Sequence, residues 1–238
     1  MPKTFFTLAA GAATLAVLFA ARAGPLAPAP GTGDVHVTVT IQGADHRPSP
    51  AAQAVVWIPD AAAKPGAGSM QSGHARIASK SKRFDPRVTA VPAGTTVDFP
   101  NLDGIFHNVF SLSPGATFDL GLYRNGATRT MTFDHPGLVR IYCNIHPQMA
   151  AFLMVIDGTI WAQTAADGSA VLANVPAGRV GVRAWDEKGG DYLGSVDVAA
   201  GKTAPLAIAL DSSSWREAPH ANKYGRKYPT PDDDANRY

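Results

Sequence analysis

The sequence predicts an all-β fold, on three observations. Apolar residues alternate with polar ones at period two, Gly and Pro turn signals separate the alternating runs, and no window beyond the first residues sustains a helical period. With 23 Gly and 19 Pro in 238 residues the chain is too rich in turn formers for a helical bundle, and its 45% hydrophobic content is enough to build cores. The length suits one large or two small domains.

Taken in order, the chain opens as an export signal. Lys3 supplies a positive start, Leu8–Ala21 is uncharged and apolar, and Ala21-Arg22-Ala23 has the small-x-small pattern of a cleavage site, so residues 1–23 read as a leader cut after Ala23. The apolar stretch is shorter than the roughly 20 residues a membrane span needs. No other segment is long enough, so no span is expected after cleavage. Residues 24–33 form a Pro/Gly linker.

Strand signals follow. Val35, Val37, Val39 and Ile41 fall on one side of an extended segment and His36, Thr38 and Thr40 on the other. The same alternation recurs in Thr95–Phe99, Leu138–Tyr142, Arg179–Trp185 and Leu206–Leu210. Turn signals punctuate these runs at Pro92-Ala-Gly94, Ser113-Pro-Gly115, His135-Pro-Gly137, Asp167-Gly168, Pro176-Ala-Gly178 and Ala200-Gly201. Two sandwich-like units are expected. Residues 211–238 carry balanced charge and few aliphatic side chains, and read as a loosely ordered, flexible tail; its Trp215, Tyr224, Tyr228 and Tyr238 offer docking on a partner as an alternative, though such sparse aromatics more often do nothing specific.

Charge excludes one class of partner. Lys plus Arg number 21 against 19 acidic residues, a formal charge of +2, and removing Lys3 and Arg22 with the leader leaves the two signs equal. Such a chain has no electrostatic hold on a phosphate backbone, so no nucleic-acid partner is expected. Cys143 is the single cysteine, which excludes an intramolecular disulfide and a two-metal site bridged by two thiolates. A lone thiol in an oxidising compartment oxidises or cross-links unless it is buried or otherwise engaged.

The neighbours of Cys143 suggest what engages it. In Tyr142-Cys-Asn-Ile-His-Pro-Gln-Met149 a thiolate, an imidazole and a thioether recur at intervals of three, and His107 lies upstream within Phe106-His-Asn-Val-Phe110. Two imidazoles and a thiolate with a weak thioether suit copper cycling between its two oxidation states. Zinc is the chemical rival, but structural zinc usually takes four strong donors and a thioether is a poor one. Singly, His107, Cys143 and Met149 are each as consistent with an ordinary core residue. His36, His46, His74, His135 and His220 have no spacing that suggests a second site.

Residues 73–157 resemble the cupredoxins, the type 1 blue copper proteins. The matching stretches are Phe84–Asn101, His107-Asn-Val109, Phe133-Asp-His-Pro-Gly137 and Tyr142-Cys-x-x-His-x-x-Met149. The compact Cys-x2-His-x2-Met loop is most similar to amicyanin and to plastocyanin-like proteins of methylamine-utilisation type. The resemblance implies a Greek-key sandwich holding one copper, with His107, Cys143 and His146 as ligands and Met149 as a weaker axial one. It implies that Asn108 and Asn144, beside the ligands, pin the ligand loop by hydrogen bonds. It also implies that electrons leave through the His146 ring edge, with Pro147 and Gln148 beside it.

Residues 158–210 resemble the transthyretin-like or carboxypeptidase-regulatory β-sandwich through Thr164–Trp185, with its Asp-Gly and Val-Pro-Ala-Gly turns. That family's two opening strands are missing there, and residues 34–60 are spare. The expectation is a discontinuous sandwich, 34–60 plus 158–210, with the copper domain inserted; the alternative is that 34–60 extend the cupredoxin sheet.

The expected function is that of a periplasmic or otherwise exported one-electron carrier, not an enzyme. Its partner would be a redox protein such as a dehydrogenase or cytochrome. Copper storage or delivery, and adhesion or scaffolding, are the rival classes.

Overall fold

The computed structural model describes residues 31–60, 74–216 and 220–228, and every regular element among them is a β-strand. The expected leader and the first part of the linker lie outside the described residues. The chain begins with β1 (Thr32–Gln42), β2 (Pro48–Pro50) and β3 (Val55–Ile58). It continues with β4 (His74–Arg76), β5 (Ala78–Lys80), β6 (Arg83–Asp85), β7 (Val88–Pro92), β8 (Thr95–Pro100) and β9 (His107–Ser113). Then come β10 (Ala116–Tyr123), β11 (Thr128–Phe133), β12 (Gly137–Tyr142) and β13 (Ala150–Ile156). The last strands are β14 (Ile160–Gln163), β15 (Ser169–Pro176), β16 (Gly178–Asp186), β17 (Gly190–Val198) and β18 (Thr203–Asp211).

These strands make two all-β sandwiches. In the first, the sheet β15-β1-β18, with β2 added to β1, faces the sheet β14-β3-β16-β17. Val35, Val37 and Val39 of β1 are fully buried and pack with Leu172, Val182 and Ile208, so the alternation seen in the sequence is the pleat of a half-buried strand. The second sandwich sets β10-β9-β12-β13-β7 against β11-β8-β4, with the hairpin β5-β6 at its edge. Phe99, Phe110, Ile77, Ile141, Met149, Leu153 and Ile156 are its largest fully buried apolar side chains, and Cys143 belongs to the same core region.

Glycines fall where the chain must reverse. Gly168 has φ +78°, and a Cβ there would collide with the carbonyl oxygen of Val39, so the Asp167-Gly168 turn admits no side chain. Its own carbonyl accepts the Val39 N–H at 2.8 Å.

A third apolar cluster joins the sandwiches. Val55, Trp57 and Trp185 of the first meet Val88, Ala90, Met154 and Ile156 of the second. The junction is rimmed by polar contacts. The Arg87 guanidinium grips both Glu187 oxygens, at 2.7 and 2.6 Å, and the Trp57 indole N–H donates to Asp157 at 2.6 Å.

Two sequence expectations need correction. Thr32 and Gly33 are not linker: they open β1 and pair with Pro176 and Val175. The stretch 211–238 is not uniformly loose either. Asp211 closes β18, and His220–Tyr228 pack on the second sandwich, where the His220 ring stacks on Tyr142 with centroids 4.0 Å apart. Scattered aromatics in a polar segment carry no periodic signal, which is why composition alone misread them.

Trp185 is almost fully buried at the junction. Trp185→Ala is expected to lower the unfolding free energy by about 3 kcal/mol, measurable as a shifted denaturant midpoint with β content unchanged at zero denaturant.

Candidate metal centre

Two stretches of the second sandwich converge at one end. β9 begins at His107, and the loop 143–149 joins β12 to β13, which pair from Tyr142↔Ala150 to Gly137↔Val155. Tyr142 also pairs with Phe110 of β9, which sets the loop beside His107. Within the loop the Met149 N–H donates to the His146 carbonyl at 3.0 Å, and the Cys143 N–H to the Met149 carbonyl at 3.3 Å. These bonds close the loop into a tight corner.

Three donors meet there. His107, Cys143 and His146 each present a ligand atom within 4.8 Å of the others. Both imidazoles turn Nδ1 toward the thiol: Cys143 Sγ lies 4.0 Å from His107 Nδ1 and 3.7 Å from His146 Nδ1. One ion bonded at about 2.0 Å to nitrogen and about 2.3 Å to sulfur in a trigonal plane needs a spacing of about 3.7 Å. The donor set fits one metal ion. Met149 is fully buried in the core region that contains Cys143.

The buried His107 is oriented by a residue the sequence reading missed. Its Nε2 lies 2.8 Å from Asp103 Oδ2. Burial pushes the Asp103 carboxyl up, but the Lys82 N–H, the His107 ring and the Ser81 N–H outweigh this and hold it below the usual carboxylate value. An ionised carboxylate only accepts, so His107 carries its proton on Nε2 and keeps the Nδ1 lone pair for a metal. Asp103 is fixed in turn. Its carboxylate accepts the N–H groups of Ser81 and Lys82, from the β5–β6 turn, and its own N–H donates to Asn101 Oδ1 at 2.9 Å. Asn101, fully buried, also donates to the Ile105 and Tyr123 carbonyls and so shapes the loop leading to His107. The sequence signal was an Asn-x-Asp placed four residues before a histidine.

His146 is half-buried. Burial, with the neighbouring His107 and Lys82, depresses its pKa below the ordinary histidine value despite Asp103 nearby. The ring is therefore neutral at neutral pH and its lone pair is free to bind. Its centroid lies 4.9 Å from that of His107. The two loops meeting here expose Leu102, Ile105, Phe106 and Ile145, with Pro147 and Gln148 also exposed beside His146.

The two asparagines beside the donors are both hydrogen-bonded. Asn108 Nδ2 donates to Asp119 on β10 at 2.6 Å, and Asn144 Oδ1 accepts the Lys223 N–H at 3.0 Å. The sequence reading assigned no role here to His220, Lys223 or Tyr228, although all three contact this end of the sandwich.

No protein-family profile matches the chain, and no curated protein matches it. Solved structures do. A purple cupredoxin from Nitrosopumilus maritimus is 25% identical over 34% of this chain and 98% of its own, with a TM-score of 0.31. A copper-containing nitrite reductase from Thermus scotoductus is 24% identical over 37% of this chain and 23% of its own, with a TM-score of 0.35. An amicyanin mutant in its Cu(I) form is 19% identical over 42% of this chain and 97% of its own, with a TM-score of 0.33.

Because Asp103 fixes the His107 tautomer, Asp103→Ala is expected to weaken metal binding at this centre about 10- to 100-fold without unfolding the sandwich. Competition titration against a chelator of known affinity measures the change.

Proposed function

We propose that this chain is an exported type 1 copper protein that carries single electrons, with one ion held by His107, Cys143, His146 and, more weakly, Met149. The observation behind the proposal is the convergence of two imidazole Nδ1 atoms and one thiol on a common point inside a β-sandwich. Copper, when bound by such a donor set, supplies a one-electron couple without bond making or breaking.

The protein's own residues provide the rest. Asp103 keeps the His107 proton on Nε2, away from the donor atom. The loop 143–149 is cross-bonded between strands, so its donors have little freedom to rearrange when charge changes. Close packing around Cys143 and Met149 keeps water from the sulfur atoms. The half-buried His146 is the route outward, and the apolar side chains exposed around it suit brief docking of a redox protein, a dehydrogenase or cytochrome. The reading assigns no substrate chemistry to the chain.

The proposal also divides the chain into a transthyretin-like sandwich, 32–60 plus 158–211, and an inserted copper domain, 73–157. In support, among the described residues β1 and β3 pair only with β2 and with strands from Ile160 onward. Export to the periplasm rests on the leader pattern.

Titration of the purified protein with Cu(II) is expected to give one equivalent of tight uptake, an intense visible thiolate-to-Cu(II) band and a reversible couple. A colourless, readily stripped site would overturn the carrier reading in favour of storage or delivery. Cys143→Ser should abolish the band with the β fold retained. Met149→Leu should keep the colour and shift the potential, because the weak axial ligand tunes it; an unmoved potential would remove Met149 from the set.

A further inference from the structure

Residues 220–228 touch three consecutive residues at the start of the ligand loop. The His220 ring stacks on Tyr142 at 4.0 Å and 17°. The Tyr228 hydroxyl donates to the Cys143 carbonyl at 2.6 Å. The Lys223 N–H donates to Asn144 Oδ1 at 3.0 Å. The same segment reaches the other ligand-bearing stretch. Lys223 Nζ pairs with Asp119 Oδ2 at 2.6 Å, and Asp119 Oδ1 accepts Asn108 Nδ2 at 2.6 Å, next in sequence to His107.

The segment is itself a built structure. Asn222 Oδ1 accepts the N–H groups of Tyr224 and Arg226, the Gly225 N–H donates to the Asn222 carbonyl, and the Asn222 N–H donates to the Arg226 carbonyl. Gly225, at φ +74°, closes this turn. Inside it, His220 Nδ1 lies 3.3 Å from the Tyr228 hydroxyl, and the two rings meet edge to face.

We infer that residues 220–228 are a clamp that fixes the Cys143 and His107 stretches relative to each other, with Tyr228 and Lys223 as its positioning residues. The clamp follows β18, the last strand of the first sandwich, so the donor geometry of the second is held partly by chain that leaves its neighbour. The Tyr228–Cys143 bond fixes the peptide of the residue that carries the thiol, and with it the direction of the Cβ–Sγ bond. The Lys223–Asp119–Asn108 chain holds the partner stretch in step. The mechanical part stands without a metal; its redox consequence rests on the copper reading above.

The test uses the full chain, Tyr228→Phe, the double variant Tyr228→Phe/Lys223→Ala, and a truncation after Arg216, which retains the Lys188–Trp215 contact. In metal-free protein, Cys143 should react with an aromatic disulfide reagent about tenfold faster in the double variant and the truncation, with amides 143–149 exchanging faster and those of β15–β18 unchanged. Tyr228→Phe should move in the same direction by less. In Cu(II)-loaded protein the charge-transfer band and the potential should shift, and Lys223→Arg alone should leave both in place. Thiol and exchange rates within about twofold of the full chain in Tyr228→Phe and the double variant overturn the clamp. Faster thiol reaction in a chain that takes up no copper sustains the clamp and sinks the copper reading. A full blue signature with unchanged rates does the reverse.

Discussion

The pairing of Tyr142 with Phe110 decides where the two donor-bearing stretches meet. β9 and β12 are neighbours in one sheet, so the residue that starts β9 and the residue that follows β12 come to the same end of the sandwich. Cys143 is thereby set against His107, and the turn closed between Cys143 and Met149 brings His146 round to the same point. Cys143 and Met149 are also fully buried core residues. Apolar packing and donor placement are therefore one constraint: the core cannot relax at this end without moving a donor.

Around that point the polar contacts form a short chain. Asn101 holds the N–H of Asp103, Asp103 holds His107, and Asp103 is itself held by the β5–β6 turn. A partly buried carboxylate without such donors would hold its proton more tightly than one in water. Here three N–H donors favour the charged form, and the tautomer of His107 follows from it. A histidine deep in a core needs this kind of fixed acceptor, since its ring could otherwise present either nitrogen to the thiol.

What the sequence disclosed followed the range of the physics. Val35–Ile41 could be read because period-two burial is local, and the glycines of all six expected turns have positive φ, because a reversal is decided by the residues that make it. The close spacing of Cys143 and His146 was readable for the same reason, and His107 because its residue type complements that pair. Asp103 was not readable, since its role depends on the Ser81–Lys82 turn more than twenty residues away. The grip of Tyr228 on the Cys143 carbonyl joins positions 85 residues apart, in a segment with no repeating pattern to betray it. Asn108 and Asn144 were picked out as neighbours of donors, but their bonds lead to Asp119 and Lys223, partners that adjacency could not identify.

β3 and β14 form a hairpin in register from Ile58↔Ile160 to Val55↔Gln163, yet the whole second sandwich lies between them. Bringing together chain ends roughly a hundred residues apart costs about 4 kcal/mol of loop entropy if the intervening chain is still a coil. Once that intervening stretch has folded, the Asp60 N–H already donates to the Asp157 carbonyl at 2.8 Å and the two halves of the hairpin are delivered side by side. The interior sandwich thus spares the outer one most of that closure cost, because its two ends leave it side by side.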